Sequence, residues 1–251
     1  MITNNYDSKF YRNRHEKTVY TARIVLSILN ELVPSVNSAI DFGCGVGTWL
    51  AVLKGKGVEE ILGLDGAWVD QEMLEIPRQN FREVDFEKGV ILDKKYDLAI
   101  SVEVAEHLSP NCAEIFVGSL TQASDFVLFS AAIPFQGGVN HVNEQWQDYW
   151  VDLFRKQGFL VLDVVRRRIW NDHEIPVWYR QNILLFARKE SQQLVQITGS
   201  GMHECDTPLP ISIVHPEMYL SNVNSSSITL GFRSFMRALV NWSKRKLGVV
   251  R

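Results

Sequence analysis

The run Ala39-Ile40-Asp41-Phe42-Gly43-Cys44-Gly45-Val46-Gly47-Thr48-Trp49-Leu50 constrains the fold of this chain more than any other segment. It reads as an apolar strand, a tight glycine-rich turn and the start of a helix. The glycines let the backbone turn sharply and approach a ligand where a Cβ would collide. A strand and helix joined this way need neighbours of the same kind, and the chain supplies them. Strands are expected at Ser38–Phe42, Glu60–Leu64, Phe81–Val84, Tyr96–Val102 and Phe126–Ala131. Helices are expected at Thr48–Lys54, around Val69–Leu74, at Asn111–Gln122 and at Gln145–Gln157. Upstream, Val19, Ala22, Val25, Ile28, Leu29 and Leu32 recur on one side of a helix that Pro34 stops.

The far end breaks the alternation. Phe159–Ile169 and Asn182–Lys189 both read as strands, with only a loop carrying Pro176 between them. Strands without a crossover helix pair antiparallel. The expected fold is therefore α/β: a Rossmann-like, mostly parallel sheet with helices on both faces and an antiparallel C-terminal hairpin. Residues 1–34 form an N-terminal segment and helix over the ligand site, and 35–190 the main domain. Residues 191–230 read as an extended polar tail and 231–251 as a basic amphipathic helix.

Charge narrows the partners. The formal net charge is −3, and no basic strip interleaved with aromatics marks the main domain, so nucleic acid is disfavoured. The average hides an asymmetry: Arg233, Arg237, Lys244, Arg245, Lys246 and Arg251 crowd the last segment without an acid. Its apolar side (Phe232, Phe235, Met236, Leu239, Val240, Leu247) could dock on its own domain, on a second subunit of a homo-oligomer or peripherally on an anionic membrane. Cys44, Cys112 and Cys205 are too few and too scattered for a disulfide framework. With no signal peptide and no transmembrane run, a cytoplasmic protein is expected.

The acids around the glycine turn carry chemical information. Asp41 precedes the glycines, where it would repel a pyrophosphate but attract a ligand bearing an ammonium or sulfonium. Asp65 ends the next strand, beside Gly66, where a carboxylate can take hydrogen bonds from ribose hydroxyls. Asp85 ends the third strand, followed by Phe86, and is placed for an adenine amino group with an apolar neighbour over the ring. Ligands of open α/β sheets bind at these strand ends.

These residues resemble the class I S-adenosylmethionine-dependent methyltransferase family. The likeness runs from Asp41 through Gly47, by way of Asp65 and Asp85, to the segment Tyr96–Leu108 with its Glu103-Val104-Ala105-Glu106-His107 core. That core is similar to the O-methylating branch, which includes ubiquinone-pathway and small-RNA 2′-O-methyltransferases. Tyr6-Asp7, Phe10-Tyr11, His141–Trp146 and Val214-His215-Pro216-Glu217 resemble bacterial methyltransferases of polysaccharide and natural-product clusters. The resemblance implies that Asp41, Gly43, Cys44 and Gly45 line the methionine part of the cofactor, Asp65 and Gly66 the ribose, and Asp85 and Phe86 the adenine. Main-chain groups around Ser101 would hold the ammonium, with Tyr11 and Arg14 closing over the carboxylate.

The reaction so implied is methyl transfer to a small hydroxylated acceptor such as a sugar or polysaccharide precursor. An in-line displacement needs an aligned acceptor and a route for its proton. Glu106, His107 and His141 are the candidate catalytic residues. By resemblance, Glu103, Glu106, His107 and His141 could instead hold a divalent cation such as Mg²⁺ that acidifies the hydroxyl. A metal-free histidine base and simple positioning remain open. RNA 2′-O-methylation, a dinucleotide-dependent oxidoreductase and a non-catalytic cofactor-binding scaffold are the competing readings. Trp146, Tyr149, Trp150, Phe154 and Phe159 are expected in the core, and His203-Glu204-Cys205 on the surface.

Overall fold

The computed structural model describes residues 8–33, 35–191 and 210–223, with side chains from residue 15 onward. The side chains of Tyr11 and Arg14, the His203-Glu204-Cys205 cluster and the basic segment 231–251 lie outside the described residues. The chain forms two compact units, Met1–Ile213 and Val214–Arg251. In the second, a helix over 216–223 begins just after His215, whose Nδ1 accepts from the Glu217 amide. No helix among the described residues is long and apolar enough to cross a membrane.

The first unit is built on one sheet. Its strands are β1 (Ser38–Phe42), β2 (Glu60–Asp65), β3 (Phe81–Glu83), β4 (Leu98–Val102), β5 (Phe126–Ser130), β6 (Phe159–Leu162) and β7 (Leu184–Arg188). Their spatial order is β3-β2-β1-β4-β5-β7-β6. β1 pairs parallel with β2 and β4, while β7 runs antiparallel to both β5 and β6. The expected antiparallel pairing of the last two strands is thus present, with β7 inserted between β5 and β6.

Period-2 alternation sends side chains to two cores, one on each face. Ala39, Leu98, Ile100, Phe126, Leu128 and Leu185 face one core; Ile40, Ala99, Val127, Phe129, Leu184 and Phe186 face the other. The first face is covered by α1 (Ser8–Leu32) and α2 (Thr48–Gly55). Ala22, Val25, Leu26, Leu29 and Leu32 of α1 fall at helical spacing and are at most 3 % exposed, so this stripe packs inward. The other face is covered by α3 (Ala113–Ala123) and α4 (Gln147–Lys156). There Phe154 stacks on Phe186 at 3.9 Å between centroids, and Trp150 and Phe159 are fully buried. They are core residues, as expected, whereas Trp146 is 44 % exposed.

Three local expectations need correction. Val69–Leu74 yields only a 3-10 turn, Gln71–Met73. The segment is too short to nucleate a helix, and Pro77 disfavours helical backbone just before it. Strand β6 stops at Leu162, and Arg166–Ile169 is a short helix, α5. The turn favours pairing at i, i+3: Arg166 forks onto Asp163 with bonds of 2.8 and 2.6 Å. The supposed loop before β7 contains α6 (Val177–Asn182), opened by Pro176.

Candidate active site

The strand order changes direction between β1 and β4, and this is where the carboxyl ends of parallel strands open a crevice. Gly43 has φ 85° beside the loop that follows β4, and a Cβ there would lie 2.3 Å from Val104. Gly47, φ 90°, leads into α2, and a Cβ there would meet Ile76 at 2.8 Å. Glycine is required at both by conformation and by space.

Asp41 is 2 % exposed, and its Oδ2 has no hydrogen-bond partner among the described residues. Burial, reinforced by the Asp65 charge, pushes its carboxyl well above the usual range. Asp65 is nearly as buried but accepts from the amides of Gly45 and Gly66, each at 2.7 Å. Burial still raises its pKa, and the two amides and the Trp68 side chain pull it back. Such a pair of buried acids, one with an oxygen to spare, fits a ligand that brings positive charge and hydroxyl donors. Ser101 of β4 is fully buried, with its Oγ unpartnered. Cys44 is a buried filler against Gly63; burial, then Asp41 and Asp65, raise its thiol pKa and keep it inert.

Trp68 escaped the sequence reading. Its ring lies over Gly66, where a Cβ would come within 2.3 Å, yet the residue is 56 % exposed. An exposed indole beside a buried acid is a flat surface for a ligand ring, and only the glycine beneath it hinted at the arrangement.

The two residues expected at the adenine end part between surface and core. Asp85 is exposed, caps the 3-10 turn Phe86–Lys88 through the Glu87 amide and pairs with Lys88 at 2.9 Å. Its hydrogen bond to Lys88 holds its carboxyl below the usual range. Phe86 is 4 % exposed and packs on Phe42 and Phe116. The turn folds Phe86 into the core and leaves Asp85 at the surface.

The second half of the site comes from the loops after β4 and β5. Glu106 and His107 lie on a 3-10 turn, Ala105–His107, and His141 on the longer β5–α4 loop. The amides of Val142 and Asn143 both donate to the Glu106 carbonyl, at 2.9 and 3.0 Å, docking one loop on the other. One donor atom from each of Glu106, His107 and His141 then lies within 4.8 Å of the others. The two rings meet edge to face at 4.9 Å.

Glu106 is the most unusual group in the protein. It is fully buried, and among the described residues neither carboxylate oxygen has a well-formed hydrogen bond, although the Glu106 and Ala132 amides lie near enough to pull its pKa down. Burial, then the nearby Glu103, raise its pKa well above normal. His107 goes the other way, to about 4, through burial and the facing His141. A neutral imidazole is the form that binds a metal.

Glu103 stands apart from this cluster. Its backbone has φ 58°, and its carboxylate accepts from Ser130 Oγ (2.8 Å), Gln136 Nε2 (2.8 Å) and Asn182 Nδ2 (3.2 Å). With both oxygens engaged, Glu103 is not grouped with the three potential ligands. His173 is exposed on the β6–β7 connection, away from the cluster.

Residues 13–117 match a methyltransferase-domain family, a span that includes Asp41, Asp65 and Glu106 but ends before His141. No curated protein matches the chain. Among solved structures, the plantazolicin methyltransferase BpumL is 13 % identical with TM-score 0.51, covering 72 % of this chain and 89 % of that one. An O-methyltransferase family protein from Burkholderia thailandensis is 13 % identical with TM-score 0.50, covering 75 % and 62 %. An S-adenosylmethionine-dependent methyltransferase from Archaeoglobus fulgidus is 18 % identical with TM-score 0.49, covering 62 % and 76 %. At these identities the structures show the fold alone. An all-parallel dinucleotide sheet lacks the inserted reverse strand β7, and the sequence likeness to a methyltransferase domain runs over residues 13–117.

Proposed function

We propose that the protein transfers a methyl group from S-adenosylmethionine to a hydroxyl of a small acceptor, with a divalent cation held by Glu106, His107 and His141. The observation that carries this reading is Glu106. A buried carboxylate with no well-formed hydrogen bond to either oxygen is costly, and the two imidazoles beside it make a cation the natural compensation. A bound cation would supply Lewis acidity that lowers the pKa of the acceptor hydroxyl.

The rest falls to the chain itself. Asp41 meets the cationic methionine part of the cofactor, Asp65 the ribose, and Trp68 offers a face to the adenine. An acceptor oxygen beside His141 then approaches the methyl carbon from the side opposite the sulfur. The C–O bond forms as the C–S bond breaks onto sulfur, giving S-adenosylhomocysteine. The hydroxyl proton leaves to water or to a neutral imidazole. A sugar-like acceptor follows from the resemblance to cluster methyltransferases. The formal charge of −3 offers no general attraction to an RNA backbone.

The test is calorimetric titration of the full chain with S-adenosylhomocysteine and separately with Mn²⁺, followed by labelled methyl transfer to hydroxylated acceptors with and without chelator. About one Mn²⁺ per chain and chelator-sensitive transfer to oxygen are expected. Transfer indifferent to chelator would remove the cation, and transfer to nitrogen or carbon would remove the O-methylation.

A further inference from the structure

We propose that Glu144 and Gly138 are positioning residues that set His141 for a cation before any ion arrives. The proposal rests on the cation site inferred above. Glu144 Oε1 lies 2.9 Å from His141 Nδ1 and accepts from the Gly137 amide at 2.9 Å, while Oε2 accepts from the Phe135 amide at 2.8 Å. A carboxylate on Nδ1 fixes the Nδ1–H tautomer, so Nε2 carries the lone pair. The same carboxylate gathers a loop whose backbone is strained at two non-glycine residues, Phe135 (φ 68°) and Asn140 (φ 59°). Strain of this kind persists only where the surroundings enforce it.

Gly138 does the complementary work on the other side of the ring. A Cβ there would lie 2.2 Å from His141 Nε2 and 2.4 Å from Cε1. Its backbone is exposed and its φ is not positive, so the need for glycine comes from the imidazole alone. Gly138→Ala therefore displaces one side chain without burying or straining another. Glu144→Ala removes the acceptor, and Glu144→Gln keeps an oxygen for Nδ1 without the charge.

The experiment has two readouts on the full chain. Long-range ¹H–¹⁵N spectra of the metal-free protein should show His141 as the Nδ1–H tautomer, with Glu144→Ala giving a mixture and Glu144→Gln restoring most of it. Mn²⁺ titration should show affinity falling about 10- to 100-fold in Glu144→Ala and in Gly138→Ala, with S-adenosylhomocysteine binding as in the wild type. Tm should hold in Gly138→Ala and fall in Glu144→Ala, which also releases the Phe135 and Gly137 amides. A wild-type His141 in the Nε2–H form, or variants that bind Mn²⁺ like the wild type, would overturn the proposal. Wild-type protein that binds no Mn²⁺ yet shows the fixed tautomer would remove the cation site but leave the tautomer control standing.

Discussion

Asp65 and Glu106 are both buried carboxylates beyond the carboxyl ends of parallel strands, but the protein treats them differently. Asp65 is met by two amides, that of Gly66 next to it and that of Gly45 in the glycine turn. Glu106 receives no well-formed hydrogen bond among the described residues, although its backbone carbonyl anchors the loop that carries His141. The Asp65 end is thus met by the chain's own amides, with Asp41 Oδ2 left over. The histidine end is an arrangement of donors that lacks what would satisfy it. Buried groups left unsatisfied mark where a protein expects a partner.

If that contrast is right, the two ends should separate under mutation. The largest effect is expected for Glu106→Gln, which should lower Mn²⁺ affinity by about 100-fold or more through loss of the only charged ligand, measured by calorimetry. S-adenosylhomocysteine binding should stay unchanged. Asp65→Ala should do the reverse, weakening S-adenosylhomocysteine about 10- to 100-fold through lost charge-assisted bonds while leaving Mn²⁺ alone. Loss of both ligands in either variant would break the comparison and make the site one unit.

Smaller effects sharpen it. Gly43→Ala must accept φ 85° and displace Val104, so a Tm drop of a few degrees is expected from about 1–2 kcal/mol of strain, seen in a thermal melt. Metal-free Glu106→Gln should melt higher than metal-free wild type, by roughly 1–3 kcal/mol of relieved desolvation. The pH dependence of that gap follows from sign. Glu106 holds its proton in the folded state to higher pH than in the unfolded, so its destabilising effect sets in as pH rises above the ordinary carboxyl range. The gap should widen from pH 4 upward. In the variant, His107 acts in the opposite sense: its folded pKa of about 4 lies below the unfolded value, so stability falls as pH drops through the interval from about 6.5 to 4. Melts across that range, with a gap that does not grow, would mean that Glu106 is not held protonated.

The cofactor loop was legible because its chemistry is local. Asp41, the three glycines and Asp65 lie at the ends of two adjacent strands, and their types state what the backbone and ligand require. Strand positions were similarly legible, since alternation between two cores leaves a period in the sequence. Asp85 and Phe86 show what such reading leaves undecided. Their types suit an adenine site, but a 3-10 turn rotates Phe86 into the aromatic core and leaves Asp85 to Lys88. Trp68 was overlooked because, apart from Gly66 itself, nothing in its neighbours says where its ring lies.

By itself the sequence determined the parallel sheet, the glycine turn and the acids that line it, because each follows from backbone sterics or period-2 burial. It also placed Glu106 and His107 after β4 and His141 after β5. Only the tertiary structure decided which of the four expected ligands converge. Glu103 is withdrawn by Ser130, Gln136 and Asn182, residues as much as 79 positions away in the chain. Glu144 gained its hold on His141 through loop closure. Hydrogen-bond partners drawn from distant segments leave no spacing in the sequence, so their choice is settled only when the loops meet.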